Sequence, residues 1–342
     1  MGRRTTFFGC VSWSDKSVEI EDRISLEKIS AELPDAVLDA HTMDDCAFIL
    51  TDKQLYRLDE SDLRLYVLGL EDILSGWTLS PLQCVRSDVP AAEGRLSHFG
   101  LGRLSRKENA VMTCTDSETI LLACTDESAF LAVNGGDSTR LFKVHDADSW
   151  TDDGCPPILL QLGLADSVCV LQMVCGKAHV VLLDSQGRVL TFGIGSRGEL
   201  GHGAVASEQQ PKIVDALADI RIVAVAAGGW HSAVVTDDGD VYLWGWNDSG
   251  QLGVNNGEVG TSNLPLPLDL PEGFRIRKVA CGSRHTLLLS DDRIAFGCGI
   301  NDYGQIGQTT IPAFLSFYCL GQNVCDIDAA GWTSLIFTSE VS

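Results

Sequence analysis

The sequence predicts an all-β fold, a β-propeller assembled from short four-stranded blades. Three observations carry this. First, a unit recurs in the C-terminal half: Gly176-Lys-Ala-His179, Gly228-Gly-Trp-His231 and Gly282-Ser-Arg-His285 open three copies, and Gly198-Glu-Leu-Gly201, Gly250-Gln-Leu-Gly253 and Gly304-Gln-Ile-Gly307 close them. Second, the opening glycines are 52 and 54 residues apart (176, 228, 282), while the gap from His to a central glycine is 14 each time (179 to 193, 231 to 245, 285 to 299). Constant spacing within a unit and slack between units mark one supersecondary element repeated. Third, the two ends complete each other. The last copy, Gly331-Trp-Thr-Ser-Leu-Ile-Phe-Thr338, lacks the strand that ends in aromatic-Gly, and the chain begins with Phe7-Phe8-Gly9.

Each unit reads as four strands. Val180–Leu183 and Val189–Phe192 flank a turn at Asp184-Ser-Gln-Gly187, and Val234-Val235 and Val241–Trp244 flank one at Asp237-Asp-Gly239. Turn residues between β-rich runs are hairpin signals. Ile222–Ala226 and Ile276–Ala280 are strands that lead into the next opening glycine, and the longer polar connections end near Pro211 and Pro265. The closing glycines bracket a tight turn expected to need positive φ. Asn247-Asp248 and Asn301-Asp302 are expected to form turns.

The N-terminal half is a blurred version. Met43–Tyr56 matches Gly228–Tyr242 with one residue deleted, and Leu121–Phe130 is a weaker echo. The region 61–110 matches poorly. Six opening slots are visible (43, about 117, 176, 228, 282 and 331), so seven blades require one hidden in 61–110 and six blades require none. Gly9 lies 34 residues before Met43, as Gly193 lies 35 before Gly228. The first strand is therefore expected to complete the last blade and remove a sheet edge. The expected organisation is one propeller over 1–342, with degenerate blades in 1–169 and three clear repeats plus the closing blade in 170–338.

Composition limits the function. The chain has 342 residues, with 25 basic against 47 acidic, a formal net charge of −22. Duplex binding rests on cations that neutralise phosphates, so direct DNA binding is not expected, while basic partners such as histone tails would be attracted. The 12 cysteines are scattered singly (Cys46, Cys114, Cys169, Cys281 and Cys298 among them) with no Cys-x-x-Cys. They read as reduced thiols of an intracellular protein, with no structural zinc site. No apolar run is long enough for a membrane span or a signal peptide. Met1-Gly2 with Thr6 fits the loose myristoylation pattern, but Phe7 begins an expected strand at once. Gly-x-Ser-x-Gly, the P-loop and His-Glu-x-x-His are all missing, and Gly193-Ile-Gly195 ends a repeat strand and precedes no helix. The reading is a non-enzyme with no cofactor.

Gly176, Gly228, Gly282 and Gly331 are expected where backbones approach closely, and Gly245 belongs to the aromatic-Gly pair Trp244-Gly245. His179, His231 and His285 hold one place in the repeat, which points to shared packing or hydrogen bonding and not to a metal. Ser334 and Cys46 are read in that same slot. The residues just before each His sit on a loop entering the inner strand, and Lys177, Trp230, Arg284 and Trp332 are expected to ring one face. Trp and Arg are enriched at interaction hot spots. Packing of both tryptophans between blades is the competing reading, and Trp246, where other copies have Ile194 and Ile300, reads equally as core.

Gly-x-x-His, Trp244-Gly245 and Gly-Gln-Leu-Gly together resemble the repeat of the regulator of chromosome condensation family, seven-bladed propellers with repeats of about 50 residues. The likeness is strong over 170–337 and in outline only before that. Gly228–Ser232, Trp244–Leu252 and Cys281–Thr286 are most similar to a small member with degenerate N-terminal blades. This resemblance implies a nuclear, chromosome-associated and partly cytoplasmic scaffold that partners a JmjC-domain oxygenase in histone methylation control and chromosome segregation. In the family's founding exchange factor, acidic residues and a histidine on these loops face a small GTPase. Here the matching positions are Lys177-Ala178, Gly229-Trp230, Ser283-Arg284 and Trp332-Thr333, with only the poorly matched Asp44-Asp45 acidic. Guanine-nucleotide exchange on a Ran-like GTPase is thus the alternative function.

Overall fold

The computed structural model describes residues 3–9, 37–42, 46–51, 54–59, 65–69, 112–113, 118–135, 138–144, 159–165, 167–254, 260–270, 274–302, 304–306 and 318–339. Contacts divide the chain into an N-terminal unit, residues 12–169, and a C-terminal unit, residues 170–342 together with 1–11. Every sheet is antiparallel.

The chain opens with β1 (Arg3–Gly9). In the N-terminal unit, β2 (Val37–Thr42), β3 (Cys46–Thr51), β4 (Gln54–Asp59) and β5 (Leu65–Gly69) form a sheet in chain order. A five-stranded sheet follows from β6 (Met112–Thr113), β7 (Glu118–Cys124), β8 (Ala129–Gly135), β9 (Ser138–Val144) and β10 (Leu159–Leu162). The expected strands over Met43–Tyr56 and Leu121–Phe130 fall on β3, β4, β7 and β8. Of the stretch 61–110 thought to hide a blade, all but 65–69 lies outside the described residues, as do Met43, Asp44, Asp45 and Gly307.

The C-terminal unit holds three successive four-stranded sheets. The first is β11 (Val170–Cys175), β12 (His179–Asp184), β13 (Val189–Gly193) and β14 (Glu208–Ile213). The second is β15 (Ile222–Ala227), β16 (His231–Thr236), β17 (Val241–Trp246) and β18 (Thr261–Pro267). The third is β19 (Ile276–Cys281), β20 (His285–Ser290), β21 (Ala295–Gly299) and β22 (Tyr318–Gly321). The last sheet has the order β1-β24-β23, from β23 (Val324–Ala330), β24 (Thr333–Ser339) and the N-terminal strand. Six sheets lie among the described residues.

Pro211 and Pro265 sit inside β14 and β18, not in the connections where the sequence reading put them. These are the outermost strands of their sheets, one side of which makes no ladder bonds, and there proline is tolerated. In contrast, β12, β16 and β20 are buried along their whole length. Their near-continuous Val/Leu runs reflect burial on both faces. Neighbouring sheets of this unit share cores. Val181, Leu183 and Val189 pack with Val225, Val234 and Trp244, and Val235 and Leu243 pack with Val279, Leu288 and Phe296. Ala280, Leu287 and Leu289 pack with Ile327 and Ile336.

The hairpin turns follow the expected chemistry. Gly187 and Gly239 take φ of 81° and 86°, and Asp184 Oδ1 accepts from the backbone N–H groups of Gln186 and Arg188. In the closing motif, Asn247 Oδ1 accepts from Leu252 N–H at 2.9 Å, and Asn301 Oδ1 does the same for Ile306 N–H at 2.9 Å. Leu252 is fully buried, so its N–H has no recourse to water. Asn247→Ala is expected to cost about 1–2 kcal/mol, read as a lowered urea midpoint at unchanged slope.

Candidate functional site

The repeated histidines form a relay that stitches one sheet to the next. His179 Nε2 lies 2.9 Å from Ser232 Oγ, His231 Nε2 2.9 Å from Thr286 Oγ1, and His285 Nε2 2.9 Å from Ser334 Oγ. The Ser232 hydroxyl donates to the carbonyl of Glu199 at 2.8 Å, and that of Thr286 to the carbonyl of Gln251 at 2.8 Å. A hydroxyl has one proton to give. Ser232 and Thr286 spend theirs on those carbonyls, so each must accept from the imidazole above it. That fixes His179 and His231 as neutral rings protonated at Nε2. The same carbonyls take a second donor: Trp244 Nε1–H reaches Glu199 at 2.8 Å, and the Cys298 thiol reaches Gln251 at 3.3 Å. Burial holds His179 down to about 4, and His231 to about 3 with the added repulsion of His285 and His179.

This arrangement explains the motif. A Cβ on Gly176, Gly228 or Gly282 would fall into the ring of the histidine three residues on. The central Gly245 has φ of 101°, and a Cβ there would stand 2.5 Å from the Trp230 carbonyl. Among the described residues no group of three His, Cys, Asp or Glu side chains is placed to hold a metal.

The pairing register moves one assignment. His179, His231 and His285 lie opposite Gly193, Gly245 and Gly299, and Thr333 lies opposite Gly9. Thr333, not Ser334, therefore occupies the histidine place, and Ser334 supplies the hydroxyl that meets His285. Trp332 is accordingly the counterpart of Trp230, and Gly331 that of Gly229. The sequence reading slipped by one because Gly331 imitates an opening glycine.

The loops before these strands bring the variable residues together. The Trp230 and Trp246 rings meet edge to face, with centroids 5.3 Å apart. Lys177 Nζ sits 5.3 Å from the Trp230 centroid. Arg197 Cζ lies 4.5 Å from Trp230 and 4.6 Å from Trp246. Arg284 Cζ lies 4.4 Å from Trp246 and 5.9 Å from Trp332. Lys177, Trp230, Arg284 and Trp332 are thus gathered into one half-buried cluster of alternating cations and indoles. Cation–π pairs of this kind contribute about 0.5–1 kcal/mol each when exposed.

Sequence reasoning missed two members. Trp246 is half-buried in the cluster instead of lying in the core. Arg197 precedes the turn glycine Gly198, a place held by Ser249 and Tyr303 in the other copies. That variability was the available signal. Close by, Glu199 stands where the other copies have Gln251 and Gln305. It is 1% exposed, and burial raises its carboxyl above the usual range despite the hydrogen bond from Arg197 N–H.

A profile of the regulator of chromosome condensation (RCC1) repeat matches residues 186–235 and 238–289, and a second profile of that repeat matches 222–251 and 276–305. The chain is similar to RCC1 domain-containing protein 1 of Mus musculus, at 35% identity over 52% of this chain and 58% of the relative. The Homo sapiens protein of that name is 34% identical over 42% of this chain and 48% of the relative. The chain thus spans about half the length of the curated relatives it matches. The ultraviolet-B receptor UVR8 of Arabidopsis thaliana is 31% identical over 63% of this chain and 47% of the receptor. In fold, the chain is similar to Prp20p of Saccharomyces cerevisiae, described with its binding to Gsp1p and histones. That likeness has a TM-score of 0.55 at 14% identity, over 99% of this chain and 92% of the other. His231, Gly245 and the closing turn Gly250–Gly253 lie within the matched residues, and the chain carries regulator of chromosome condensation (RCC1) repeats over 186–305.

Proposed function

We propose that this chain is a non-catalytic interaction scaffold, a seven-bladed propeller over 1–342 whose last blade is completed by β1. The loop face carrying Lys177, Trp230, Arg284 and Trp332 docks a chromatin protein. The observation behind this reading is the cation–indole cluster. The recurring Gly, His and turn residues are consumed in holding sheets together, whereas the cluster residues differ from copy to copy and do little for the sheets. The partner is a JmjC-domain oxygenase, and the setting is nuclear and chromosome-associated, in histone methylation control and chromosome segregation. The likeness to proteins named RCC1 domain-containing protein 1 supports the scaffold reading, while the JmjC-domain partner and its setting rest on the sequence resemblance alone. The lack of catalytic motifs in the sequence supports a binding role without enzyme activity. No cofactor, membrane or direct DNA contact belongs to it.

Affinity purification of the tagged chain tests the site. A JmjC-domain oxygenase is expected with the wild type, and at least tenfold less of it with a folded Trp230→Ala/Arg284→Ala variant. Full retention by that variant would remove the site assignment.

Histones are a second candidate partner, favoured by the net charge of −22 and by the histone binding described for Prp20p. Such a complex should weaken steeply with salt. Exchange on a Ran-like GTPase is the competing function, and accelerated nucleotide release at substoichiometric chain would replace the scaffold reading.

A further inference from the structure

Resting on the docking face just described, we propose that its occupant is an acidic segment of a partner protein, held in extended form with Asp or Glu at alternate positions.

The indoles of the cluster already have partners. Lys177 and Arg197 stand over the Trp230 ring, and Arg197 and Arg284 over the Trp246 ring. Indole faces are what a cationic ligand seeks. Here the chain's own cations stand over them, so a lysine- or arginine-rich tail would have to displace those cations.

The guanidinium groups are the unsatisfied part. A stacked guanidinium still has its fork of N–H donors along its edge, a geometry that matches a carboxylate. Among the described residues, no carboxylate lies within ion-pair distance of Arg197 or Arg284. Glu199 feels the charge of Arg197, but its carboxylate is engaged by the Arg197 backbone N–H. Arg284 Nε is buried with no hydrogen-bond partner among the described residues. On a chain of net charge −22, three cations gathered around two indoles, two of them (Arg197 and Arg284) without an ion pair among the described residues, are a local reversal of sign.

The spacing sets the form of the ligand. Arg197 Cζ and Arg284 Cζ lie 4.6 Å and 4.4 Å from one ring centroid, so they are at most about 9 Å apart. Side chains two apart on an extended peptide share a face about 6.5–7 Å apart. Alternate acidic residues therefore reach both arginines, with small residues between them over the indole edges. A nucleic acid strand offers anions too, but its continuous charge meets the repulsion of the whole acidic chain.

The test is calorimetric titration of the full chain with a capped Gly-Glu-Ser-Glu-Ser-Glu-Gly peptide, alongside its Gln-for-Glu and Lys-for-Glu counterparts and an oligothymidylate. The Glu peptide is expected to bind, to weaken with salt, and to shift tryptophan emission. Binding is expected to fall by about tenfold or more in an Arg197→Gln/Arg284→Gln variant whose melting curve matches the wild type. If that variant does not fold, the emission shift of the wild type with Glu but not Gln peptide carries the test. Equal binding of the Glu and Gln peptides, or tighter binding of the Lys peptide or oligothymidylate, would overturn the acidic occupant. A purified partner that is lost with Trp230→Ala/Arg284→Ala yet retained with Arg197→Gln/Arg284→Gln keeps the docking face and overturns only its chemistry.

Discussion

Gly282→Ala is expected to lower unfolding free energy by about 3 kcal/mol, a large effect for one methyl group. The added Cβ would fall inside the His285 ring, nearest Cε1, 2.5 Å from Nδ1 and 2.7 Å from Nε2. Gly282 is outside the left-handed region, so the backbone itself would accept alanine. The three nearest obstacles are all atoms of that ring, and the ring cannot retreat. His285 is fully buried in β20 and tied by Nε2 to Ser334. Urea unfolding checks the loss, with Gly260→Ala as control, since a Cβ there meets nothing within 4 Å. The cause is checked by a double-mutant cycle. His285→Ala is costly alone, but once it is made, Gly282→Ala should add well under 1 kcal/mol. Additive losses would place the strain elsewhere.

This coupling also shows what the sequence could and could not disclose. Gly-x-x-His was legible as a motif because two residues in steric contact are only three apart. The strands β12, β16 and β20 were legible because burial on both faces writes a continuous apolar run. The pairing of β1 with β24 was legible because Phe8-Gly9 repeats the aromatic-Gly signal that the last copy lacks. The register at Thr333 was not, since one glycine among several is a weak anchor and only the ladder opposite Gly9 settles it. The outer strands β14 and β18 were hidden by their prolines and polar residues, which exposure on an edge permits. In the cluster, Lys177, Trp230 and Arg284 stood out as variable letters beside a fixed histidine. Arg197 did not, because it reaches the indoles from the closing turn, about 30 residues away along the chain from Trp230. Local patterning reports contacts within a strand or turn, and the cluster is assembled between loops.

Acidification to pH 5 should destabilise the C-terminal unit well before its exposed carboxylates titrate. His179 and His231 have folded values of about 4 and about 3 against an ordinary 6.5, because burial disfavours the imidazolium. Between 6.5 and those values the unfolded chain binds more protons than the folded one. Stability therefore falls as pH falls through this window and is fully present above 6.5. At pH 5 each ring contributes a loss of about 2 kcal/mol, about 4 for the pair. The relay makes the penalty specific, since a second ring proton at Nδ1 would have no acceptor at His179 or His231 among the described residues. Glu199 works against this trend. Its carboxyl is raised by burial, so its ionised form costs stability at neutral pH and that cost is relieved on acidification. Replacing it by the residue that two sister copies use should separate the two effects. Glu199→Gln is expected to be more stable than wild type at pH 7.5 and to lose more stability on going to pH 5. Urea midpoints of both proteins at both pH values give the comparison. A wild-type stability unchanged between pH 7.5 and 5, with an equally flat Glu199→Gln, would show that the histidines are not held neutral by the fold.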